Sequence, residues 1–224
     1  MSILQQTLFR FYYPYCNLAN RILPYITLDG RRLRVLPNVY KPLDSEHRVV
    51  DFIEPGKRVL DIGCGSGVLT VFAAQKSEHV TAIDISPQAI ENTQLNCKAH
   101  GIENVTIKPS DMFAAVSDET FDYILSYPPL FEASFTSKDQ QWCTSNTFVK
   151  ELFGGAAKHL NPDGQLVVLL PEAFRDSPQE LAQQHGLEFV EATLHKDRSL
   201  STRLHSIPYL HFNMNNHVFQ FRKP

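Results

Sequence analysis

Residues 59–67 read VLDIGCGSG, and this stretch decides the fold. An apolar run carrying one acid, Asp61, stops at glycines 63, 65 and 67. Such a pattern turns a strand sharply into a helix and lets the backbone pass close to a ligand, because no Cβ stands in the way. The same alternation repeats outward from it. Lys57–Ile62 (KRVLDI) is expected as a buried strand and Val68–Gln75 as the following helix. His79–Asp84 (HVTAID) gives the second strand. Its helix opens at Ser86-Pro87, with proline at the first helical position, and runs to Ala99. Val105–Pro109, Phe121–Ser126 (FDYILS) and Gln165–Leu170 (QLVVLL) continue the series, the last entered through a turn at Asn161–Gly164. Glu188–Leu194 and His217–Arg222 complete seven strands, with His217–Arg222 expected to pair with residues 207–212. Strands alternating with helices imply an α/β fold: a doubly wound, mostly parallel seven-stranded sheet covered on both faces.

Upstream, residues 2–23 read as an aromatic-rich helix interrupted at Pro14. ITLDGRRLRVL (26–36) carries a hairpin signal at Asp29-Gly30. LPNVYKPLDSEHRVVDFI then leads into a helix with Asp44 or Ser45 as N-cap and Val49, Val50 and Ile53 as its apolar face. The expected partition is a helix-and-hairpin extension over 1–45, serving as a lid, and a ligand-binding domain over 46–224. With 224 residues, 43% of them hydrophobic and 20% charged, the chain suits one well-buried core. Formal net charge is -3. Nucleic-acid binding leans on Lys and Arg, so this balance argues against a nucleic-acid partner. Arg31, Arg32, Arg34 and Lys41 form a local exception. The four cysteines (16, 64, 97 and 143) make no CxxC pair, so no metal site is expected and reduced thiols are the simplest reading. No apolar stretch reaches the roughly 18 residues of a membrane span, and the first residues do not read as a signal peptide. A cytoplasmic location is expected.

In open α/β sheets ligands bind beyond the carboxyl ends of the strands. Asp61–Gly67, Asp84, Asp111 and Tyr127-Pro128-Pro129 all fall there. The glycine spacing is G-x-G-x-G, not the G-x-G-x-x-G of dinucleotide folds. With Asp61 before it, it resembles motif I of the class I (Rossmann-like) S-adenosylmethionine-dependent methyltransferases. Later landmarks extend the resemblance over residues 40–172. It implies S-adenosylmethionine as cofactor and S-adenosylhomocysteine as product. Asp61, Gly63, Cys64, Gly65 and Gly67 would cradle the methionine end. Asp84, with Ile85 beside it, would take the ribose hydroxyls. Asp111 would read the adenine amino group, Met112 would pack near the ring, and Ser126 would close the edge.

FDYILSYPPL (121–130) matches motif IV, the rim of the acceptor pocket. Together with VYKPLDS (39–45) it resembles the HemK-like, N-P-P-Y amino-group methyltransferases. Two positions depart from that pattern: Tyr127 stands for the asparagine and Leu130 for the aromatic, with Phe131 next to it. A phenol offers one O–H where an amide offers a carbonyl and two N–H donors. Tyr127, Pro128 and Pro129 are the expected catalytic set. Tyr40, Leu130, Phe131 and Trp142 are expected to line the acceptor pocket, and Tyr127, Glu132, His47 and Asp44 are the candidate bases. The acceptor is expected to be a nitrogen of a small molecule or an amino-acid side chain. The alternatives are RNA or a ribosomal component, a protein glutamine, and a cofactor-binding partner protein without catalysis.

Overall fold

The computed structural model describes residues 14–42, 46–129, 147–171, 177–196 and 215–224. Helical residues 14–22 (α1) lead into a two-stranded hairpin, β1 (Tyr25–Leu28) and β2 (Arg31–Arg34). Asp29 (φ 43°) and Gly30 (φ 78°) are both left-handed, the turn an Asp-Gly pair favours in tight hairpins. A 3-10 segment, Glu46–Phe52, precedes β3 (Arg58–Ile62) and α2 (Val68–Ala73). Then come β4 (His79–Asp84), α3 (Pro87–Ala99), β5 (Val105–Pro109) and β6 (Phe121–Ser126). α4 (Phe148–His159), β7 (Leu160–Pro171), α5 (Pro178–Gln184), β8 (Glu188–Lys196) and β9 (Asn215–Arg222) finish the chain. α3 and α5 are opened by the same device: Ser86 and Ser177 accept from the N–H three residues on, with proline at the first helical position.

The large sheet has the order β5-β4-β3-β6-β7-β9-β8. β3, β4, β5, β6 and β7 pair in parallel, and β9 runs antiparallel between β7 and β8. The chain steps outward from β3 to β5, then returns to lay β6 on the other flank of β3. This reversal opens a crevice beyond the carboxyl ends of β3 and β6. Side chains alternate along each strand, so one sheet builds two cores. Val59, Leu125, Val167, Leu169 and Val218 face the hairpin, the 3-10 segment and α2. Leu60, Ile62, Ile124, Leu166, Val168 and Phe221 face α4 and α5.

The structure corrects four expectations. The stretch around Val49 is 3-10, not an α-helix: two adjacent β-branched valines and the Pro55-Gly56 stop leave room for only a short tight turn, closed by Ile53 N–H to the Val50 carbonyl. The turn at Asn161–Gly164 does not precede β7 but interrupts its register with β6, between Leu160 and Gln165. Gly164 is required there, because a Cβ would stand 2.9 Å from the Asn161 carbonyl oxygen. β9, expected to pair with 207–212, is paired with β7 and β8. Both its edges are filled, by β7 and β8, and a strand has only two. α2 ends at Ala73, two residues short of expectation, where Lys76 and Ser77 N–H groups turn onto the Ala73 carbonyl. Residues 2–13, the proposed caps Asp44 and Ser45, and residues 207–212 lie outside the described residues.

Candidate functional site

The carboxyl end of β3 is organised by backbone hydrogen bonds. Gly63 and Cys64 N–H groups both donate to the Ile83 carbonyl of β4, at 2.9 and 3.0 Å, and Gly67 N–H closes the turn onto the Cys64 carbonyl at 2.7 Å. All three glycines are left-handed. Their reasons differ. At Gly67 a Cβ would stand 2.9 Å from Thr93 Cα, so this glycine lets α3 pack against the loop. At Gly65 a Cβ would meet nothing nearer than 3.8 Å, so its bare face opens onto the crevice. Cys64 is buried, with Thr93 Oγ1 donating to its sulfur at 3.3 Å, and burial pushes its thiol well up, which leaves it inert.

Asp61 is fully buried at the end of β3. One carboxyl oxygen accepts from the Thr70 hydroxyl of α2, and the other is buried with no hydrogen-bond partner among the described residues. Desolvation raises its carboxyl to about 7, against the Thr70 hydrogen bond and with the Asp84 charge adding to the rise. A buried acid with one oxygen unsatisfied is costly and marks a place where a donor or cation belongs.

Asp84 ends β4 and is half-buried. Its two oxygens accept from Gly65 N–H at 3.0 Å and Ser86 N–H at 2.8 Å. Burial pushes this carboxyl up, opposed by those backbone donors. Each oxygen keeps a second lone pair, so the group can still accept from a ligand. Ile85 beside it is an exposed apolar side chain. After β5, Ser110 N–H bonds the Asp84 carbonyl at 2.9 Å, and its hydroxyl donates to the Met112 carbonyl at 2.7 Å while accepting from Ala115 N–H. This holds Asp111 exposed and Met112 in a left-handed turn at the edge of the second core. Ser110, which ties the β5 loop to the end of β4, belongs to no motif and is not legible as a site residue in the sequence.

On the β6 side, Ser126 is fully buried and its hydroxyl donates to the Ile62 carbonyl at 2.9 Å. It braces β6 against β3 at the root of the glycine loop. Tyr127 packs against the first core, its ring 5.7 Å from that of Tyr40 and tilted by 59°. Tyr40 in turn donates its hydroxyl to the buried carboxyl of Glu46 at 3.1 Å. Pro128 and Pro129 follow, buried and half-buried. Leu130, Phe131, Glu132, Trp142 and Asp44 lie outside the described residues. His47 bonds Asp29 at 3.0 Å, tying the 3-10 segment to the hairpin tip, and its ring lies 4.8 Å from that of Phe72, tilted by 35°.

Two further contributions go beyond the residues that the sequence points to. Asn216 opens β9 in register with Pro171 and projects, like Val218, from the face that carries Tyr127. Its amide is buried, and neither its oxygen nor its nitrogen has a partner among the described residues. The alternation of Asn216, Val218 and Gln220 with His217, Phe219 and Phe221 is the available signal. Asn92 and Asn96, one turn apart on α3, form a clamp. Asn92 bonds the Arg34 carbonyl, Leu36 N–H and the Ser66 carbonyl, and Asn96 bonds Arg34 N–H, the Arg34 carbonyl and the Ser66 carbonyl. Two asparagines spaced by four in a helix interior, where their intrinsic preference is low, are the signal here.

Known proteins resemble this chain. The family model described as methyltransferase small domain matches residues 46–193. The ribosomal RNA small subunit methyltransferase C of Escherichia coli is 32% identical over 181 residues, 78% of this chain and 50% of the relative. The chain therefore spans about half the length of the curated relatives it matches. Among solved structures, a methyltransferase from Pyrococcus furiosus covers 96% of this chain and 98% of its own at TM-score 0.60 and 20% identity. The Thermus thermophilus 16S rRNA N2 G1207 methyltransferase, in complex with AdoMet and guanosine, covers 89% of this chain and 50% of its own at TM-score 0.62 and 17% identity. These likenesses show the class I methyltransferase fold. The expectation that excluded nucleic acid as a partner is overturned, because the curated relatives are by name methyltransferases of ribosomal RNA. The reason is physical: net charge averages a whole chain, whereas contact with nucleic acid is local. Among the described residues no helix is long and apolar enough to cross a membrane.

Proposed function

The chain belongs to the methyltransferase small domain family, and from that premise we propose that it transfers a methyl group from S-adenosylmethionine to a base nitrogen of ribosomal RNA. The observation that carries the acceptor is the 32% identity, over 78% of this chain, to a ribosomal RNA methyltransferase. Of the acceptors the sequence left open, RNA is the one with such support. An acceptor of this kind is met in the cytoplasm.

The residues present fit the cofactor. Asp61 holds a buried oxygen without a partner among the described residues, suited to the ammonium of a methionine moiety. The open face at Gly65 admits the backbone-hugging ligand, Asp84 retains lone pairs for ribose hydroxyls, and Ile85 and Met112 offer apolar surface for adenine beside Asp111. When bound, S-adenosylmethionine supplies an electrophilic methyl group on a positively charged sulfur.

The chain's own task is positioning. Base amino groups are weak nucleophiles, so acceleration comes from holding nitrogen, methyl carbon and sulfur in line. Tyr127 and Tyr40 give the base an aromatic wall, with Tyr40 held by Glu46. Pro128 and Pro129 present backbone carbonyls, and Asn216 offers the amide that position 127 lacks. As the nitrogen–carbon bond forms and the carbon–sulfur bond breaks, the displaced N–H proton passes to water or to a carboxylate.

The test is incubation of the chain with methyl-labelled S-adenosylmethionine and small-subunit ribosomal RNA lacking base methylation, followed by nucleoside digestion. Label in a methylated base is expected, N2-methylguanine being the first to examine, with a several-fold loss in Tyr127→Ala. No transfer to RNA by a chain that binds S-adenosylhomocysteine would overturn the acceptor assignment.

A further inference from the structure

Residues 21–41 carry five cationic side chains, Arg21, Arg31, Arg32, Arg34 and Lys41, against one carboxylate, Asp29, in a chain whose net charge is -3. The hairpin sorts them. Leu28, Leu33 and, through Phe72, Arg31 face inward, and Arg31 is tied to Gln75. Tyr25, Thr27, Arg32 and Arg34 share the exposed face, with Tyr25 opposite Arg34 and Thr27 opposite Arg32. The Arg32 guanidinium lies 3.9 Å over the Tyr25 ring. Among the described residues the ion pairs engage Arg48, Lys57, Arg58, Lys108 and Arg222, and none engages Arg21, Arg32 or Arg34. A surface that groups exposed arginines, gives them no carboxylates and stacks one on an aromatic ring is complementary to a polyanion with planar bases.

The ridge is also fixed to the reaction site. Asn92 and Asn96 hold both backbone groups of Arg34, together with Leu36 N–H, to the Ser66 carbonyl of the glycine loop. From Leu36 the same segment reaches Tyr40, beside Tyr127. His100 at the end of α3 bonds the Arg32 carbonyl at 3.1 Å. A strand of nucleic acid lying on the hairpin is thereby held at a set distance from the pocket that receives its base.

We propose that the outer face of the β1–β2 hairpin is an RNA-docking ridge, on which Arg32 and Arg34 grip phosphates of the strand that delivers its base to Tyr127. This rests on the reading of RNA as the acceptor and adds the surface that holds it. Phosphate contacts carry most of the affinity of such a surface and make it salt-dependent.

The experiment is fluorescence anisotropy with a labelled RNA stem–loop of about 20 nucleotides, titrated at several KCl concentrations, on the whole chain. Arg32→Ala/Arg34→Ala is expected to weaken binding about tenfold or more at low salt and to flatten the log affinity against log salt slope by about 1.5 to 2. S-adenosylhomocysteine affinity by calorimetry, and the melting temperature, stay as in the parent. Arg32→Lys/Arg34→Lys keeps the slope, which guards against a fold defect in the alanine variant. Unchanged RNA affinity and slope in the alanine variant would overturn the ridge and leave the RNA reading standing. No RNA binding by the parent chain at low salt would overturn both.

Discussion

The two sides of the switch point are built by different rules. On the β3–β4–β5 side, the groups proposed for the methyl donor come from strand ends in sequence order and are set by backbone hydrogen bonds: Gly63 and Cys64 to Ile83, Gly65 to Asp84, Ser110 to Asp84. On the β6–β7–β9 side, the polar and aromatic groups come from distant segments: Tyr40 and Glu46 before the first large-sheet strand, Tyr127 after β6, Asn216 at the start of β9. A donor that keeps its chemistry from enzyme to enzyme can be held by main chain and a few acids. An acceptor that changes must be read by side chains, wherever the fold brings them. Stability and recognition also divide differently on the two sides, and that division can be broken by substitution.

The largest effect separates two glycines of the same loop. Gly67→Ala drives a Cβ into Thr93 in a left-handed backbone, and unfolding by denaturant should show a loss of about 3 kcal/mol. Gly65→Ala meets no such neighbour and should cost about 1 kcal/mol, from its backbone conformation alone, while weakening S-adenosylhomocysteine binding more than the stability loss explains. Equal stability losses at the two positions would erase the distinction between packing glycine and cradle glycine.

Next is Asn216→Leu. A buried amide without partners contributes little to folding, so the melting temperature should hold or rise. Methyl transfer should fall about 30-fold, roughly 2 kcal/mol of transition-state stabilisation, with cofactor affinity unchanged. A stability loss with parent-like turnover would make Asn216 a structural residue and leave the acceptor side to the aromatics.

The smallest effect is a pH dependence. Asp61, raised to about 7, binds its proton more tightly folded than unfolded, where a carboxyl titrates near 3.9. The cost of burying it is therefore absent below about pH 4 and grows as pH rises to about 7, so the ligand-free melting temperature should fall across that window. A bound ammonium would favour the carboxylate and expel the proton. S-adenosylhomocysteine affinity should then rise about tenfold between about pH 5.5 and 7.5 and level off above. In Asp61→Asn both dependences should shrink to what Asp84, also raised by burial, contributes, with weaker binding and a more stable ligand-free fold at about pH 8.

The same division explains what is legible in the sequence. Strands β4, β5 and β6 and helix α3 match their expected bounds because each combines a short apolar run with a proline, serine or glycine stop. The glycine loop is legible because its conformation excludes other residues. Asn216 and Glu46 are not, since a polar residue inside an element looks like surface until the fold buries it. The β7 interruption reads as a plain turn because Asn-Pro-Asp-Gly signals local bending, not which strands lie on either side. The exclusion of nucleic acid fails for a related reason: composition sums over the whole chain a charge that the hairpin concentrates.

The most direct test of the account is calorimetric titration of the purified chain with S-adenosylhomocysteine and NAD, beside Asp84→Ala. Micromolar binding of S-adenosylhomocysteine, no binding of NAD, and a loss of about 100-fold in the variant are predicted, since Asp84 fixes Gly65 and is proposed to accept from the ribose. Binding of NAD in its place, or parent-like S-adenosylhomocysteine affinity in Asp84→Ala, would contradict the assignment of the β3–β4 crevice to the methyl donor.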